Sequence, residues 1–263
     1  MSSSHISLVL PKDSVKYVLF QRTQYLLFRR SSFFQKLKVL LPTRVGYALE
    51  SFFSYQHLPV ALEALFTRRT VAQLFGDELS AEYEQMKNYL PITAVSIFDI
   101  GSGIGGIDLF LAKHYAPVWP TVHLLDRTEM PSKVYYHFKE KACYYNSLPD
   151  AKKFLIQNGV PGNNVVLHEV PAEAAVAFPK DLDLVVSLIS WGFHYPVATY
   201  LSSVYDALRV GGILIIDIRK NTAGVDGTAE IRAKFGSENV RTVHETSGVI
   251  RLVARKAPSF NFV

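Results

Sequence analysis

The run SIFDIGSGIGG, residues 96–106, limits the folds open to this chain more than any other feature. An apolar stretch, Ser96 to Ile100, includes one acid, Asp99, and four glycines follow it within six residues. A brief apolar run bounded by glycines is typical of a buried parallel strand rather than a helix. A helix is predicted from about Gly106 to His114, so the glycines must turn the chain sharply between strand and helix.

The glycine loop predicts a nucleotide-type site. Gly101, Gly103 and either Gly105 or Gly106 lack the side chains that would keep the backbone from a ligand. The N–H groups and dipole of the following helix favour a negatively charged or polar ligand. The spacing through Gly106 fits dinucleotide sites, and the spacing through Gly105 fits the G-x-G-x-G pattern of methyltransferases. The glycines alone leave both cofactors open.

Two acids bear on this choice. Asp99, at the end of the first strand, suits a cationic amino group better than a pyrophosphate. The second strand is predicted from Thr121 to Leu125 and ends at Asp126, about twenty residues past the loop. An acid there can accept hydrogen bonds from both ribose hydroxyls. The alternative for Asp126 is a helix cap or a turn acid.

The remaining pattern predicts an α/β sheet. The further strands are expected at Val165–Val170, Leu182–Ile189 and Ile213–Ile218, followed by a hairpin of Val240–Glu245 and Gly248–Ala254. The fourth strand is almost entirely apolar and is expected to be central and buried on both faces.

The segment SWGFHYP, residues 190–196, is expected to be a loop that opens into the ligand crevice, before a helix from Val197 to Arg209. It brings Trp191, Phe193, His194 and Tyr195 together. The alternative is that Trp191 and Phe193 fill the edge of the sheet and His194 caps a helix.

Together, the strand order, the D-x-G-x-G-x-G run and the terminal hairpin resemble class I S-adenosylmethionine (SAM) dependent methyltransferases over about residues 80–256. The resemblance implies a Rossmann-like, mostly parallel seven-stranded sheet in which the last hairpin inserts one antiparallel strand, an arrangement that NAD enzymes lack. It also implies SAM bound across the glycine loop. The cofactor-binding residues on this reading are Asp99, Gly101, Ser102, Gly103, Gly105, Asp126, Arg127, Ala172 and Ser190.

Methyl transfer mainly requires alignment and a site shielded from water. We expect a small-molecule acceptor, a hydroxyl of a sugar or of a natural-product intermediate, held by Trp191, Phe193 and Tyr195. His194 is the candidate base, since imidazole suits proton removal near neutral pH. No N-P-P-Y-type motif indicates amino methylation, and no metal site is expected.

The net charge of +5 is concentrated in the N-terminal third, where residues 1–75 hold ten Lys or Arg and three acids. Residues 1–79 are predicted to form a helical segment, with helices at Val15–Arg30, Phe33–Leu40 and Leu58–Phe75, and residues 80–263 a SAM-binding domain entered through a helix at Glu82–Leu90. The segment fits a structural cap, a lid, a homodimer interface or a peripheral membrane contact.

Two alternatives to a small-molecule enzyme remain open: a nucleic-acid methyltransferase that uses the basic segment, and a non-catalytic nucleotide-binding scaffold. The first is disfavoured because no compact Lys/Arg run is interleaved with aromatic residues. A single cysteine, Cys143, suits a reducing cytoplasm. With no apolar span of about 20 residues and no secretory leader evident, a cytoplasmic protein is expected.

Overall fold

A computed structural model describes residues 8–129, 146–170, 176–220 and 226–258. In its first part, five α-helices precede the first strand: α1 (Val15–Gln21), α2 (Leu27–Arg30), α3 (Ser32–Leu40), α4 (Thr43–Tyr55) and α5 (His57–Met86). No described helix combines the length and apolar character needed to cross a bilayer.

Eight strands and four α-helices follow among the described residues. They are β1 (Ser96–Ile100), α6 (Gly106–His114), β2 (Thr121–Asp126), α7 (Leu148–Gln157), β3 (Val165–Glu169), β4 (Leu182–Ser187), β5 (Ser190–Tyr195), α8 (Leu201–Ala207), β6 (Leu208–Arg219), α9 (Gly227–Phe235), β7 (Val240–Glu245) and β8 (Val249–Arg255). Seven strands form one sheet in the order β3-β2-β1-β4-β6-β8-β7. The pairs from β3 to β6 are parallel, and β8 is antiparallel to both β6 and β7. The predicted Rossmann-like sheet with an inserted antiparallel strand is confirmed.

The strand register sets the position of the two acids at the glycine loop. Asp99 of β1 lies beside Leu124 of β2, and Ile100 lies beside Leu125. Because the two strands are parallel neighbours, Asp126 follows at the same carboxyl edge as Asp99. Every residue of β4 is buried, as expected for a central strand covered on both faces.

The segment after β4 differs from the prediction. Residues 190–195 are not an open loop but the extended strand β5, which lies beside β6 outside the seven-stranded sheet. The side chain of Arg219 on β6 donates a hydrogen bond of 2.8 Å from Nε to the carbonyl oxygen of Phe193. The predicted helix 197–209 is reduced to α8, because the chain enters β6 at Leu208. Sequence pattern does not report such side-chain anchoring to a distant strand.

The N-terminal helices also differ from their predicted bounds. The predicted helix 15–30 divides into α1 and α2, whereas the predicted helices 58–75 and 82–90 are largely one helix, α5. Gly76 does not end α5 but lies buried within it, despite a helix propensity about 1 kcal/mol less favourable than that of alanine. Helix α5 shares one hydrophobic core with α1, α6 and the sheet. It runs through residue 79, and the division into 1–79 and 80–263 stays a prediction.

Candidate active site

A cavity of about 440 Å³ lies at the carboxyl edge of the sheet, between the glycine loop, the β4–β5 connection and the helices α1 and α5. Its volume is in the range of small-molecule sites. The predicted residues that line it are Asp99, Gly101, Ser102, Gly103, Asp126, Ser190, Phe193, His194 and Tyr195. The structure therefore brings most of the predicted cofactor and acceptor residues to one place.

Three predicted residues do not line this cavity. Gly105 immediately precedes α6 and faces α7, where a Cβ would lie 3.3 Å from Cγ of Leu155. The side chain of Arg127 turns away to the carbonyl oxygen of Val170. Trp191 is fully buried in the core, the alternative considered for it above. Ala172, predicted to bind the cofactor, lies outside the described residues.

Trp191 has a structural environment rather than a ligand-facing one. Its indole Nε1 donates a hydrogen bond of 2.9 Å to the carbonyl oxygen of Val197. Its backbone N–H donates to Oγ of Ser187, and that hydroxyl donates to the carbonyl oxygen of Ile100 at 2.7 Å. Ser187 thus ties the start of β5 to the end of β1, which fixes the wall of the cavity that carries His194.

Close packing explains the first glycine of the loop. Gly101 has a φ of +76°, and a Cβ there would lie 1.8 Å from Oγ of Ser190. A side chain at this position would be both strained and obstructed. The loop and the start of β5 can therefore approach each other only because residue 101 is glycine.

Asp126 is hydrogen-bonded to the loop that it was predicted to serve. Its Oδ2 accepts a hydrogen bond of 2.8 Å from the N–H of Gly103, and its Oδ1 accepts one of 2.7 Å from the N–H of Arg127. Burial raises the pKa of Asp126 to about 7, against the opposing effect of these N–H donors. Asp126 therefore acts as a turn acid through these two hydrogen bonds. Each of its carboxylate oxygens keeps a lone pair that can accept a hydrogen bond from a ligand hydroxyl.

Asp99 is paired with a second acid that sequence reasoning missed. Asp108, in the first turn of α6, lies close enough to interact electrostatically with Asp99, and both side chains are almost completely buried. Two buried carboxyls that interact in this way resist being ionised together. Burial first, then repulsion from Asp108, raises the pKa of Asp99 well above its usual range. The pair beneath the cavity therefore retains a proton at pH values at which two separate acids would both be ionised.

Three buried polar atoms at the cavity lack a hydrogen-bond partner among the described residues: Oδ1 of Asp99, Oγ of Ser102 and Oδ1 of Asn146. Buried polar atoms are normally hydrogen-bonded, and an unpaired one is costly. Asn146 was not predicted; its Nδ2 donates to the carbonyl oxygen of Gly103 at 2.5 Å. The unpaired atoms around the glycine loop fit a polar ligand that would satisfy them.

His194 lies on β5, beside the ring of Phe193. Burial, with the nearby charge of Arg219, lowers the pKa of His194 to about 4. The guanidinium of Arg219 also stacks on the ring of Phe193, 4.2 Å from its centroid. The imidazole is therefore neutral at pH 7, able to accept a proton but a weaker base than an exposed histidine.

The N-terminal helices supply a wall of the cavity that the sequence did not predict. The carboxamide of Gln21 on α1 lies against the loop, since a Cβ on Gly103 would be 3.0 Å from its Oε1. Arg22 donates from Nε to Oε1 of Glu78 at 2.7 Å, and the hydroxyl of Tyr25 donates to the same carboxylate. No local signal in the sequence marks these residues as part of the site.

Glu82, one turn after Glu78 on α5, also faces the cavity. It is half-buried, and no described residue donates a hydrogen bond to it. Burial raises its pKa, while the charges of Arg22 and Arg251 oppose that shift. Among the described residues, no group of three or more His, Cys, Asp or Glu side chains is arranged to hold a metal ion.

No protein-family model matches the chain, and no curated protein matches it either. Among solved structures, the chain is similar to a protein from Nostoc punctiforme described as a candidate O-methyltransferase, with 19% identity and a TM-score of 0.48 over 78% of this chain and 62% of that one. It is also similar to magnesium protoporphyrin IX methyltransferase from Synechocystis, solved with bound SAM, with 15% identity and a TM-score of 0.47 over 73% of this chain and 84% of that one. At such scores the likeness does not extend to a reaction or an acceptor.

The sheet itself is more informative than these likenesses. Strand β8 lies antiparallel between β6 and β7, and the glycine loop follows β1 at the carboxyl edge. These are the features that the resemblance in sequence implies. The chain therefore has the fold of the class I SAM-dependent methyltransferases.

Proposed function

We propose that this protein is a SAM-dependent methyltransferase that acts on a hydroxyl group of a small molecule, a sugar or a natural-product intermediate. The observation that carries the proposal is the set of unpaired buried polar atoms around the glycine loop, in a cavity floored by Asp99 and Asp126. SAM, when bound, supplies a methyl group activated by the neighbouring sulfonium charge.

The residues of the cavity divide into two groups on this proposal. Asp99 would hold the cationic amino group of the cofactor, and Asp126 would accept hydrogen bonds from its ribose. The backbone of Gly101 and Gly103 leaves room for that contact. Ser102 and Asn146 would use their unpaired oxygens on the same ligand.

On the opposite wall, Phe193 and Tyr195 would position the acceptor, and His194 would take the proton from its hydroxyl. The imidazole is neutral at pH 7 and can accept that proton without first losing one. The apolar side chains of Phe75 and Leu79, on the N-terminal wall of the cavity, would help to exclude water from this side.

The charges that line the cavity favour a neutral acceptor. Four acids, Glu78, Glu82, Asp99 and Asp126, face it, against one arginine, Arg22. Arg22 is already paired with Glu78. Of these acids, Glu82 is neither assigned to the cofactor nor ion-paired among the described residues, and its negative charge, when it is ionised, disfavours a phosphorylated acceptor or a nucleic-acid backbone. The acidic cavity thus supports a sugar or alcohol over RNA.

The proposal can be tested in two steps. Thermal unfolding is first followed with SAM, S-adenosylhomocysteine or NAD added: the two sulfur compounds should raise the melting temperature, and NAD should not. Release of S-adenosylhomocysteine from SAM is then measured with neutral sugars and phenols, with their phosphorylated counterparts, and with RNA. Turnover of a neutral hydroxyl compound supports the proposal. Stabilisation by NAD alone, or turnover of RNA only, would contradict it.

A further inference from the structure

The N-terminal half of α5 presents an apolar stripe to solvent. Leu58, Leu62, Leu65 and Phe66 recur at the spacing of one helical face, and all four are exposed, Phe66 at 86%. The opposite face, which begins at Val60, is buried in the core. An amphipathic helix normally has one apolar face, which is turned inward. The N-terminal half of α5 instead has apolar residues on both its buried and its exposed side.

Helices α3 and α4 also expose large apolar side chains. α3 packs against α4, and α4 packs against α5. Their exposed large apolar side chains are Phe33, Val39, Leu40, Val45, Tyr47 and Phe52. We call this set, together with the stripe on α5, the apolar face of α3–α5. Most of the large exposed apolar side chains among the described residues belong to it, and such a concentration marks an interaction surface.

Basic side chains accompany this face. Five exposed cations of α2–α5 belong to no ion pair among the described residues: Arg30, Lys36, Arg44, Arg68 and Arg69. The two acids between residues 27 and 75 are already engaged. Glu50 pairs with Arg29 and Lys38, and Glu63 accepts a hydrogen bond from the N–H of Leu27. The face therefore combines apolar side chains with uncompensated positive charge.

We propose that the apolar face of α3–α5 docks on a lipid bilayer that contains anionic lipids. Exposed Leu and Phe side chains enter the boundary between headgroups and acyl chains, while Lys and Arg contact anionic headgroups. A second copy of the chain fits this face less well, because docking would bring the unpaired cations of two copies together. A nucleic acid would use the cations and leave the Leu and Phe side chains in water.

The apolar face of α3–α5 lies far enough from the cavity that the two proposals can be tested independently. Phe66 and Glu78 lie twelve residues apart on α5, or about 18 Å at the rise of an α-helix. Substitutions at Leu62 and Phe66 should therefore leave the cavity intact. Stabilisation by SAM reports whether each variant keeps its fold. If the wild-type protein does not bind SAM, circular dichroism reports the fold instead. The proposed membrane contact and the proposed methyltransferase activity can therefore fail separately.

The experiment is flotation of the full-length protein with vesicles of phosphatidylcholine, with or without phosphatidylglycerol. We expect binding to the anionic vesicles, weakened by salt. Leu62→Glu combined with Phe66→Glu should weaken binding by about tenfold or more. Lys36→Gln with Arg69→Gln should weaken it by about fivefold for each charge removed. Ile92→Glu is the matched control, because Ile92 is 99% exposed and lies outside the face; it should bind as the wild type does.

Other outcomes would overturn the proposal. One is failure to bind either kind of vesicle. Another is a dimer, seen by light scattering, that Leu62→Glu with Phe66→Glu dissociates while vesicle binding is absent. Binding to RNA or DNA that Lys36→Gln with Arg69→Gln abolishes, and that the apolar substitutions leave unchanged, would assign the face to a nucleic acid instead. If the Leu62→Glu, Phe66→Glu variant fails to fold, the test rests on vesicle binding by the wild type and by the Lys36→Gln, Arg69→Gln variant. Binding by the wild type that does not depend on anionic lipid or on salt would then contradict the proposal.

Discussion

The N–H of Gly103 donates a hydrogen bond of 2.8 Å to Oδ2 of Asp126, so the acid that ends β2 holds the glycine loop directly. This contact joins two features that lie 23 residues apart in sequence. Asp126→Ala should lower SAM affinity by about tenfold or more, since it removes both the anchor of the loop and the proposed ribose acceptor. Asp126→Asn, which keeps one acceptor oxygen, should bind SAM with an affinity between that of the wild type and that of Asp126→Ala. Calorimetric titration measures this series, and an unchanged Kd for Asp126→Ala would remove Asp126 from the site.

Gly106, at the start of α6, should not tolerate a side chain. Gly106→Ala would place a Cβ 2.5 Å from Cζ of Phe75 on α5, so it should loosen that helix and lower the free energy of unfolding by about 1–3 kcal/mol. Gly248→Ala is the matched control, because a Cβ there meets nothing within 4 Å. Chemical denaturation compares the two. Equal stability of both variants would mean that α5 does not pack closely on α6.

The buried acid pair predicts a pH-dependent stability. The folded-state pKa of Asp99 is raised above its unfolded value, so the folded protein retains a proton that the unfolded chain loses above about pH 4. This contribution is present in full at low pH and is lost as pH rises through the raised pKa. Asp108→Asn removes one of the two acids, and it should stabilise the ligand-free protein by about 1–3 kcal/mol at pH 8 and by less near pH 4.

The exposed acid Asp206 on α8 provides the control for this measurement. Asp206→Asn should change the free energy of unfolding equally, and only slightly, at both pH values. Denaturant melts at pH 4 and pH 8 give the comparison. If Asp108→Asn destabilises the protein more at pH 8 than at pH 4, the two carboxyls do not share a proton.

A catalytic role for His194 predicts a particular pH profile. With a pKa of about 4, the imidazole stays neutral through the physiological range, so turnover at saturating SAM should be level from about pH 6 to 8 and fall only as pH approaches 4. His194→Ala should keep SAM affinity and lower turnover by about a hundredfold or more. Unchanged turnover would exclude His194 as the base.

His194 and Glu82 are the two side chains of the cavity considered as the base, and Glu82→Gln distinguishes between them. It should leave turnover within about threefold of the wild type if His194 is the base. A large loss in this variant, with little loss in His194→Ala, would transfer the role to Glu82. Stabilisation by SAM is the control for the integrity of the cavity in both variants.

The sequence predicted the parts of the site that rest on local pattern. β1, the glycine loop and Asp126 follow one another with spacing that a parallel sheet imposes, and the structure places them at one edge. The terminal hairpin was predictable for the same reason: two alternating runs flank a short turn, and they form β7 and β8.

The parts that the sequence did not predict depend on contacts between distant segments. Gln21 meets Gly103, and Phe75 meets Gly106, only because α1 and α5 pack on the sheet in a way that no local pattern specifies. The run around Trp191 reads equally well as an acceptor wall or as a buried plug. Its hydrogen bonds to Ser187 and Val197, which place it in the core, appear only in three dimensions.

The central claim is that the cavity binds SAM through Asp99, and one calorimetric titration tests it most directly. SAM is titrated into the wild-type protein and into Asp99→Ala, in two buffers that differ in ionisation enthalpy, with NAD as the competing ligand. We predict micromolar SAM binding that releases a proton, because a cationic amino group at Asp99 displaces the proton of the acid pair, and loss of that binding in Asp99→Ala. NAD binding without SAM binding, or equal SAM affinity in Asp99→Ala, would contradict the account.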